Sequence, residues 1–209
     1  MDYLQQLTKR FPQLIPIAPN IAAAYDLLVE TFSGGGKLLI AGNGGSAADA
    51  EHIVGELMKS FVKKRKLPDT FIEKLKKENP GIAEYILLHL QPGFPAIALS
   101  NHASLNTAAI NDIDGNITFA QQVYGYGKSV DVFLGISTSG NSKNILYAAA
   151  TAKAKNIKII ALTGCNGGKL KELADVSIIV PETETYKIQE LHLPIYHCLC
   201  LMVEEHFYK

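Results

Sequence analysis

Five short apolar runs, separated by segments of helical periodicity, most constrain what this 209-residue chain can fold into. They occupy residues 37–42, 95–100, 131–137, 158–164 and 176–181. Short continuous apolar runs that alternate with helices are typical of a parallel sheet covered by helices on both faces. The pattern predicts an α/β fold, a three-layer doubly wound sandwich around a five-stranded parallel sheet.

The remaining segments add helices at both ends of the chain and between the strands. Apolar residues recur every three or four positions over about 20–33, and Asn20 is the predicted N-cap of that helix. A last helix is predicted over about 186–207. The chain has no linker composition and no internal repeat, so residues 1–209 are predicted to form a single domain. A polar stretch at about 65–92 holds one or two further helices.

The charge and cysteine content exclude several classes of protein. Twenty basic and twenty acidic residues give a formal net charge of zero, which argues against a nucleic-acid or membrane surface. Three cysteines do not make a disulfide framework and fit a reducing compartment. The first residues show no signal peptide, and no run reaches the ~18 apolar residues of a membrane span. We therefore expect a cytoplasmic protein.

Ligands of such folds bind at the carboxyl ends of the strands, where three polar loops follow strands one to three. The third loop, STSGNS at 137–142, ends where a helix is predicted to begin. A helix N-terminus with several hydroxyl donors suits a phosphate group. The alternative is an ordinary serine N-cap, which would need only one hydroxyl group. The first loop, GNGGS at 42–46, makes a second junction of strand, glycine and helix.

The first loop also fits the dinucleotide pattern G-x-G-x-x-A through Gly42, Gly44 and Ala47. That pattern expects an acidic residue at the end of the next strand, about 20 residues further on. Here the next apolar run begins only at Pro95, so the spacing argues against a dinucleotide fold.

Two helices carry candidate acid/base or metal-binding groups. His52 and Glu56 lie four residues apart and therefore share a helix face. They could act as acid/base partners, bind a metal ion together or form a plain surface pair. The stretch IQELHLPIYHCLC at 188–200 in the last helix is mostly apolar but includes Gln189, Glu190, His192 and His197. Glu190 and His197 are predicted to share a face, and Pro194 is predicted to bend this helix.

Four ordered motifs then resemble the sugar isomerase (SIS) domain family, and within it the phosphoheptose isomerase group. They are AGNGGSAADAEHIVGEL at 41–57, LNTAAINDID at 105–114, VDVFLGISTSGNS at 130–142 and KIQELHLPIYH at 187–197. The resemblance covers nearly the whole chain. It implies interconversion of sedoheptulose 7-phosphate and a glycero-manno-heptose 7-phosphate. It also implies homotetramers with active sites at subunit contacts and with the terminal helices in those contacts.

The resemblance assigns roles residue by residue. Glu56 matches the catalytic carboxylate and His197 the catalytic histidine. The phosphate- and sugar-binding positions are Asn43, Gly44, Ser46, Asp112, Ser137, Thr138, Ser139, Ser142 and Gln189. The zinc ligands of the zinc-containing members match His52, Glu56, Gln189 and His197. Gln189 and His197 are eight residues apart, a rise of ~12 Å. One ion can therefore accept both only if the helix bends or if different subunits share the site.

Three features depart from the family pattern. Residues 65–92 are predicted to be an insertion relative to shorter members. The insertion could form a lid, a subunit contact or a solvent-exposed segment without a function. Ser60 stands where the family often has Arg or Lys, and Asn101-His102 replaces a common Thr-Asp pair. The last two changes bear on the choice of sugar more than on the isomerase chemistry. Two alternatives stay open: a non-catalytic SIS protein that binds a phosphosugar or has a regulatory role, and an isomerase of another sugar phosphate.

Overall fold

The computed structural model of the protein describes residues 2–208 and contains one five-stranded sheet in that range. The strands run in the order β2-β1-β3-β4-β5, and every neighbouring pair is parallel. Their bounds are Leu38–Ala41 for β1, Ala96–Ala98 for β2, Val132–Ser137 for β3, Lys158–Thr163 for β4 and Val176–Ile179 for β5. All five apolar runs are therefore strands, and the predicted α/β sheet is confirmed.

Ten α-helices connect or cover the strands of the described part. They are α1 Tyr3–Arg10, α2 Ala18–Ser33, α3 Gly45–Met58, α4 Asp69–Glu78, α5 Ala83–His89, α6 Ala103–Asp112, α7 Thr118–Tyr126, α8 Lys143–Ala154, α9 Leu170–Leu173 and α10 Thr185–Phe207. Both helices expected within 65–92 are present as α4 and α5. No helix within residues 2–208 is both long enough and apolar enough to span a membrane.

The sheet separates two hydrophobic cores, as a doubly wound sandwich requires. One core joins α1, α2, α3 and α10 to the face that presents Leu38 and Ile136. The other joins α7, α8 and α9 to the face that presents Leu39 and Phe133. Because β1 and β3 are covered on both faces, every residue of these two strands is buried.

The predicted start of α2 was wrong. The helix begins at Ala18, two residues before Asn20, and it follows a 3-10 helix over Pro12–Ile17. Proline is tolerated in the first turn of a helix because its missing N–H would have no partner there. Pro19 therefore lies within the first turn of α2, and Asn20 lies inside the helix and caps nothing.

Candidate active site

The hydroxyl-rich loop has the predicted geometry. β3 ends at Ser137, α8 begins at Lys143, and Ser142 is the N-cap residue. The side chain of Ser142 does not cap the helix, because its Oγ lies 3.1 Å from Oγ of Ser137. Thr138 is half-buried, and the exposed Ser139 accepts a hydrogen bond from the backbone N–H of Asn141 at 3.2 Å. Hydroxyl groups and a helix N-terminus thus meet in one turn, which suits an anion.

The loop after β4 packs against this turn and hydrogen-bonds to it. Gly140 has φ +65°, and a Cβ there would overlap the carbonyl oxygen of Gly167. The N–H of Leu170 donates to the carbonyl oxygen of Gly140 at 3.0 Å, and the N–H of Lys169 donates to the side chain of Asn141 at 3.2 Å. The close approach requires glycine at 140, because this φ disfavours side chains and no space remains for one.

The first glycine loop joins the hydroxyl-rich loop through a pair of amides. The side chain of Asn43 exchanges two hydrogen bonds with that of Asn144, at 3.0 and 2.8 Å. Gly44, with φ +55°, is the N-cap residue of α3, and Ser46 is buried in the first turn. We call Asn43, Gly44, residues 137–142 and Asn144 the phosphate cradle. Asn144 was missed in the sequence, although it lies in the first turn after the hydroxyl loop.

The predicted acid/base residues also come together. Nε2 of His52 lies 3.3 Å from Oε1 of Glu56 and 3.3 Å from Nε2 of His197. The second carboxylate oxygen of Glu56 pairs with Nζ of Lys59 at 3.1 Å. We call these four residues the acid/base cluster. The Glu56 side chain is only 14% exposed, so this carboxylate is mostly withdrawn from water.

Lys59 supplies a positive charge next to Ser60, the position where the family often has Arg or Lys. Ser60 turns away from the cluster, since its N–H donates to the side chain of Gln91 at 2.8 Å and its Oγ accepts from the N–H of Arg65 at 3.3 Å. The cation beside Glu56 therefore comes from Lys59, one residue before the position where the family often has Arg or Lys.

The buried Tyr196 and the half-buried Asp49 support the cluster and were not predicted as site residues. The hydroxyl group of Tyr196 lies 3.2 Å from Oδ1 of Asp49 and 3.0 Å from Nδ1 of His52. Burial raises the pKa of Asp49, although the Tyr196 hydrogen bond and His52 act in the opposite direction. Burial, together with the Asp49 charge, also raises the pKa of Tyr196.

The environment of His197 keeps its imidazole neutral at neutral pH. Burial lowers the pKa of His197, the neighbouring His52 lowers it further, and the Glu56 charge opposes both. His197 and Glu190 both line an open cavity of about 220 Å³ between α1 and α10, so the predicted shared face is confirmed. A neutral imidazole can both accept and donate a proton.

The cradle and the acid/base cluster lie at opposite ends of α3. Gly45 begins this helix beside the cradle, and Glu56 lies eleven residues further on, a rise of about 16 Å. The side chain of Gln189 packs against Gly45, where a Cβ would lie 2.6 Å from its Nε2. α10 runs through Pro194 without interruption and places His197 at the far end, against His52.

The four predicted zinc ligands are therefore not assembled within one chain. Three of them meet at His52, but Gln189 lies at the cradle end of α3. Within residues 2–208, no group of three or more His, Cys, Asp or Glu side chains is arranged to hold a metal ion. The residues of a single chain do not fit the complete ligand set.

Asp112 makes no hydrogen bond to the cradle or to the acid/base cluster among the described residues. It is exposed at the last residue of α6, and its carboxylate accepts a hydrogen bond from the side chain of Asn111 at 2.8 Å.

Comparison with known proteins fits this arrangement. The family model described as the SIS domain matches residues 2–85 and 82–164. The chain belongs to the SIS domain family. A phosphoheptose isomerase of Leptospira biflexa is 41% identical over 197 residues, which cover 94% of this chain and 89% of the relative. A phosphoheptose isomerase of Helicobacter pylori is 41% identical over 181 residues, with 87% and 81% coverage.

Solved structures of this SIS group have the same fold. The phosphoheptose isomerase of Neisseria gonorrhoeae matches with a TM-score of 0.73 and 31% identity, and covers 97% of this chain and 91% of that one. The phosphoheptose isomerase of Francisella tularensis matches with a TM-score of 0.75 and 31% identity, with 97% and 95% coverage. The resemblance carried by the four sequence motifs is thereby confirmed.

Proposed function

We propose that this protein is an aldose–ketose isomerase of a seven-carbon sugar phosphate. The proposed pair is sedoheptulose 7-phosphate and a glycero-manno-heptose 7-phosphate, as the names of its phosphoheptose isomerase relatives suggest. The observation that carries the proposal is a mostly buried carboxylate, Glu56, in one cluster with His52 and His197. A non-catalytic SIS protein has no need to hold these three side chains together.

The chemistry follows from the residue types in the cluster. Glu56 removes the proton from the carbon next to the carbonyl group and returns it to the neighbouring carbon, through an enediol. Neutral His197 exchanges a proton with the oxygen atoms of the two carbons, so that the carbonyl group moves from one carbon to the other. Lys59 places a positive charge beside the carbon that becomes electron-rich.

The phosphate cradle would fix the other end of the substrate. It offers hydroxyl groups, amides and the N-terminus of α8, all of which bind an anion without a basic side chain. An extended seven-carbon phosphate spans about 10 Å with bonds of ordinary length. That length is shorter than the helical rise of ~16 Å between the backbone positions of Gly45 and Glu56 in α3. We therefore propose that the cradle of one subunit serves the acid/base cluster of another, in a homotetramer.

Zinc and a cytoplasmic location stay predictions. The complete zinc ligand set does not fit one chain, so no step above runs through a metal ion. If zinc binds to the assembled protein, it supplies polarisation of the carbonyl group and stabilises the developing negative charge.

The test is an isomerisation assay of the Glu56→Gln variant over a panel of five-, six- and seven-carbon sugar phosphates. We expect wild-type turnover with the seven-carbon substrate and a loss of about 10²–10⁴-fold in kcat for the variant. Phosphosugar binding should be nearly unchanged, because the cradle is intact. The control is Glu51→Gln, an exposed carboxylate on the same helix. Equal activity of wild type and Glu56→Gln would refute the assignment of the base.

A further inference from the structure

The last turn of α3, which carries Glu56, ends without a closing backbone turn. The final carbonyl groups of a helix have no partners inside the helix and need other donors. Many helices obtain these donors through a left-handed residue just after the helix. Here the chain instead leaves the helix in an extended conformation at Lys59, with φ −136° and ψ 174°. The donors for this turn therefore come from elsewhere in the fold.

The side chain of Arg65 supplies two of these donors. Its Nη2 donates to the carbonyl oxygen of Glu56 at 3.2 Å, and its Nη1 donates to that of Leu57 at 2.7 Å. Its Nε donates to Oε1 of Glu204 on α10 at 3.0 Å, and both of these side chains are fully buried. Three nitrogen atoms of one rigid, planar group are thus engaged at once, which fixes the position of the turn as well as balancing the charge.

Arg65 also acts on the cation beside Glu56. Nζ of Lys59 donates to Oε2 of Glu56 at 3.1 Å and to the carbonyl oxygen of Ser60 at 3.3 Å. Ser60 is held in turn at its Oγ, which accepts a hydrogen bond from the backbone N–H of Arg65 at 3.3 Å. Arg65 therefore holds the carboxylate through the backbone of Glu56 and the ammonium group through Ser60.

We propose that Arg65 is a positioning residue that fixes the last turn of α3 and thereby places the Glu56 carboxylate and the Lys59 ammonium group for catalysis. The part of the inference that concerns catalysis rests on the proposed function, whereas the part that concerns the fixed turn rests on the hydrogen bonds alone. A misplacement of about 1 Å can cost on the order of 10²-fold in rate. A purely structural partner of Glu204 would need only a positive charge, so the two roles are separable.

The experiment compares wild type with Arg65→Lys. Lysine keeps a positive charge for Glu204, but its single nitrogen cannot take the places of Nε, Nη1 and Nη2. In the heptose phosphate assay we expect kcat to fall about ten- to a hundredfold while KM stays within about twofold, because the cradle is unchanged. Hydrogen–deuterium exchange measured by mass spectrometry should be faster than in wild type in the peptides that cover residues 54–60.

A second variant covers the case in which Arg65→Lys does not fold. The double variant Arg65→Met/Glu204→Gln leaves no bare charge buried. It also lacks the donors to Glu56 and Leu57, so we expect the same loss of kcat and the same faster exchange over residues 54–60.

Two controls separate positioning from charge and from general stability. Lys64→Met removes the positive charge of an exposed neighbour and should change neither kcat nor the exchange of residues 54–60. Ile157→Ala leaves a cavity in the core on the other face of the sheet, so it should lower the midpoint of urea unfolding. It should leave kcat and the exchange of residues 54–60 unchanged, because the last turn of α3 keeps its donors.

Each outcome decides one part of the inference. Unchanged exchange over residues 54–60 in Arg65→Lys, or faster exchange with unchanged kcat, would overturn the positioning role and leave the proposed isomerase standing. An equal loss of kcat in Ile157→Ala would reduce the effect to stability and overturn the role as well. Faster exchange in Arg65→Lys, when wild type turns over no phosphosugar of the panel, would overturn the proposed function and leave the fixed turn standing.

Discussion

His192 lies in the core between α10 and β4 with its side chain fully buried. Neither ring nitrogen has a hydrogen-bond partner at good geometry within residues 2–208, and the same holds for the buried hydroxyl group of Thr163. Burial lowers the pKa of His192 to about 4, and only the Thr163 backbone acts against this. Since a charged imidazole cannot be solvated there, the native protein keeps His192 neutral at pH values where an unfolded chain would protonate it.

We therefore expect His192 to make stability depend on pH. Below pH 6.5 the unfolded state binds the proton and the native state does not, so the free energy of unfolding falls as the pH drops from 6.5 to about 4. The loss amounts to about 3 kcal/mol over this range. Urea unfolding at several pH values should show a flatter dependence in His192→Gln than in wild type. His89→Gln, which changes an exposed histidine on α5, should leave the slope unchanged.

At the scale of elements, a buried ion pair fixes the end of α3. Nε of Arg65 lies 3.0 Å from Oε1 of Glu204 on α10, and both side chains are fully buried. Arg65 also donates to the carbonyl oxygens of Glu56 and Leu57, at 3.2 and 2.7 Å. The Glu204 carboxylate accepts the N–H groups of residues 61–63. The pair thus joins α10, the segment after α3 and the backbone of Glu56.

The pKa of Glu204 shows that the carboxylate is well satisfied there. Burial alone would raise this pKa, but three backbone N–H groups and Arg65 together outweigh it and the pKa is lowered. A partner lost from such a pair leaves an uncompensated buried charge.

We expect Arg65→Met to lower the free energy of unfolding by about 3–5 kcal/mol in denaturant titrations. The double variant Arg65→Met/Glu204→Gln should lose less than the sum of the two single changes, because no bare charge remains buried. The matched control is the exposed pair Lys66–Asp69, whose side chains are 78% and 74% exposed. Lys66→Met should cost less than about 1 kcal/mol. Equal losses of unfolding free energy in Arg65→Met and Lys66→Met would contradict the argument that burial makes the Arg65–Glu204 pair important for stability.

The sequence predicted the strands and part of the candidate site, but not all of the helix boundaries or site residues. The strands followed from their apolar runs, and His52 with Glu56 followed from helical spacing, because both signals are local. The start of α2 was wrong because the preference of proline for the first turn was not weighed against Asn20 as a cap. Tyr196 and Asn144 were missed because their partners lie 144 and 101 residues away in sequence, at His52 and Asn43. Such pairs arise only when helices pack.

At the scale of the whole molecule, the two parts of the proposed active site lie at opposite ends of α3. Its N-terminus lies beside the cradle, and Glu56 lies near its C-terminus, at His52 and His197. His197 also lines the open cavity between α1 and α10. A symmetric assembly repeats every contact, so one shared site implies an equivalent site with the subunit roles exchanged.

Mixed oligomers test the shared site. Ser139→Asp places a negative charge in the cradle and should prevent phosphate binding, while Glu56→Gln removes the base, so each variant alone should be inactive. If one subunit supplies the cradle and another the base, a hybrid contains some sites in which both parts are wild type. Random 1:1 mixing then restores on the order of a quarter of wild-type activity.

The hybrids are produced by co-expression with two different affinity tags and purified over both. The control is a mixture of Glu56→Gln with His197→Ala, both in the acid/base cluster. These two residues of one chain lie against the same His52, so every site of this hybrid keeps at least one defect whenever the cluster comes from one subunit. Activity in the first hybrid and none in the second would locate the division of the site between cradle and cluster. An inactive first hybrid that is still oligomeric would place the whole reaction within one chain and refute the shared site.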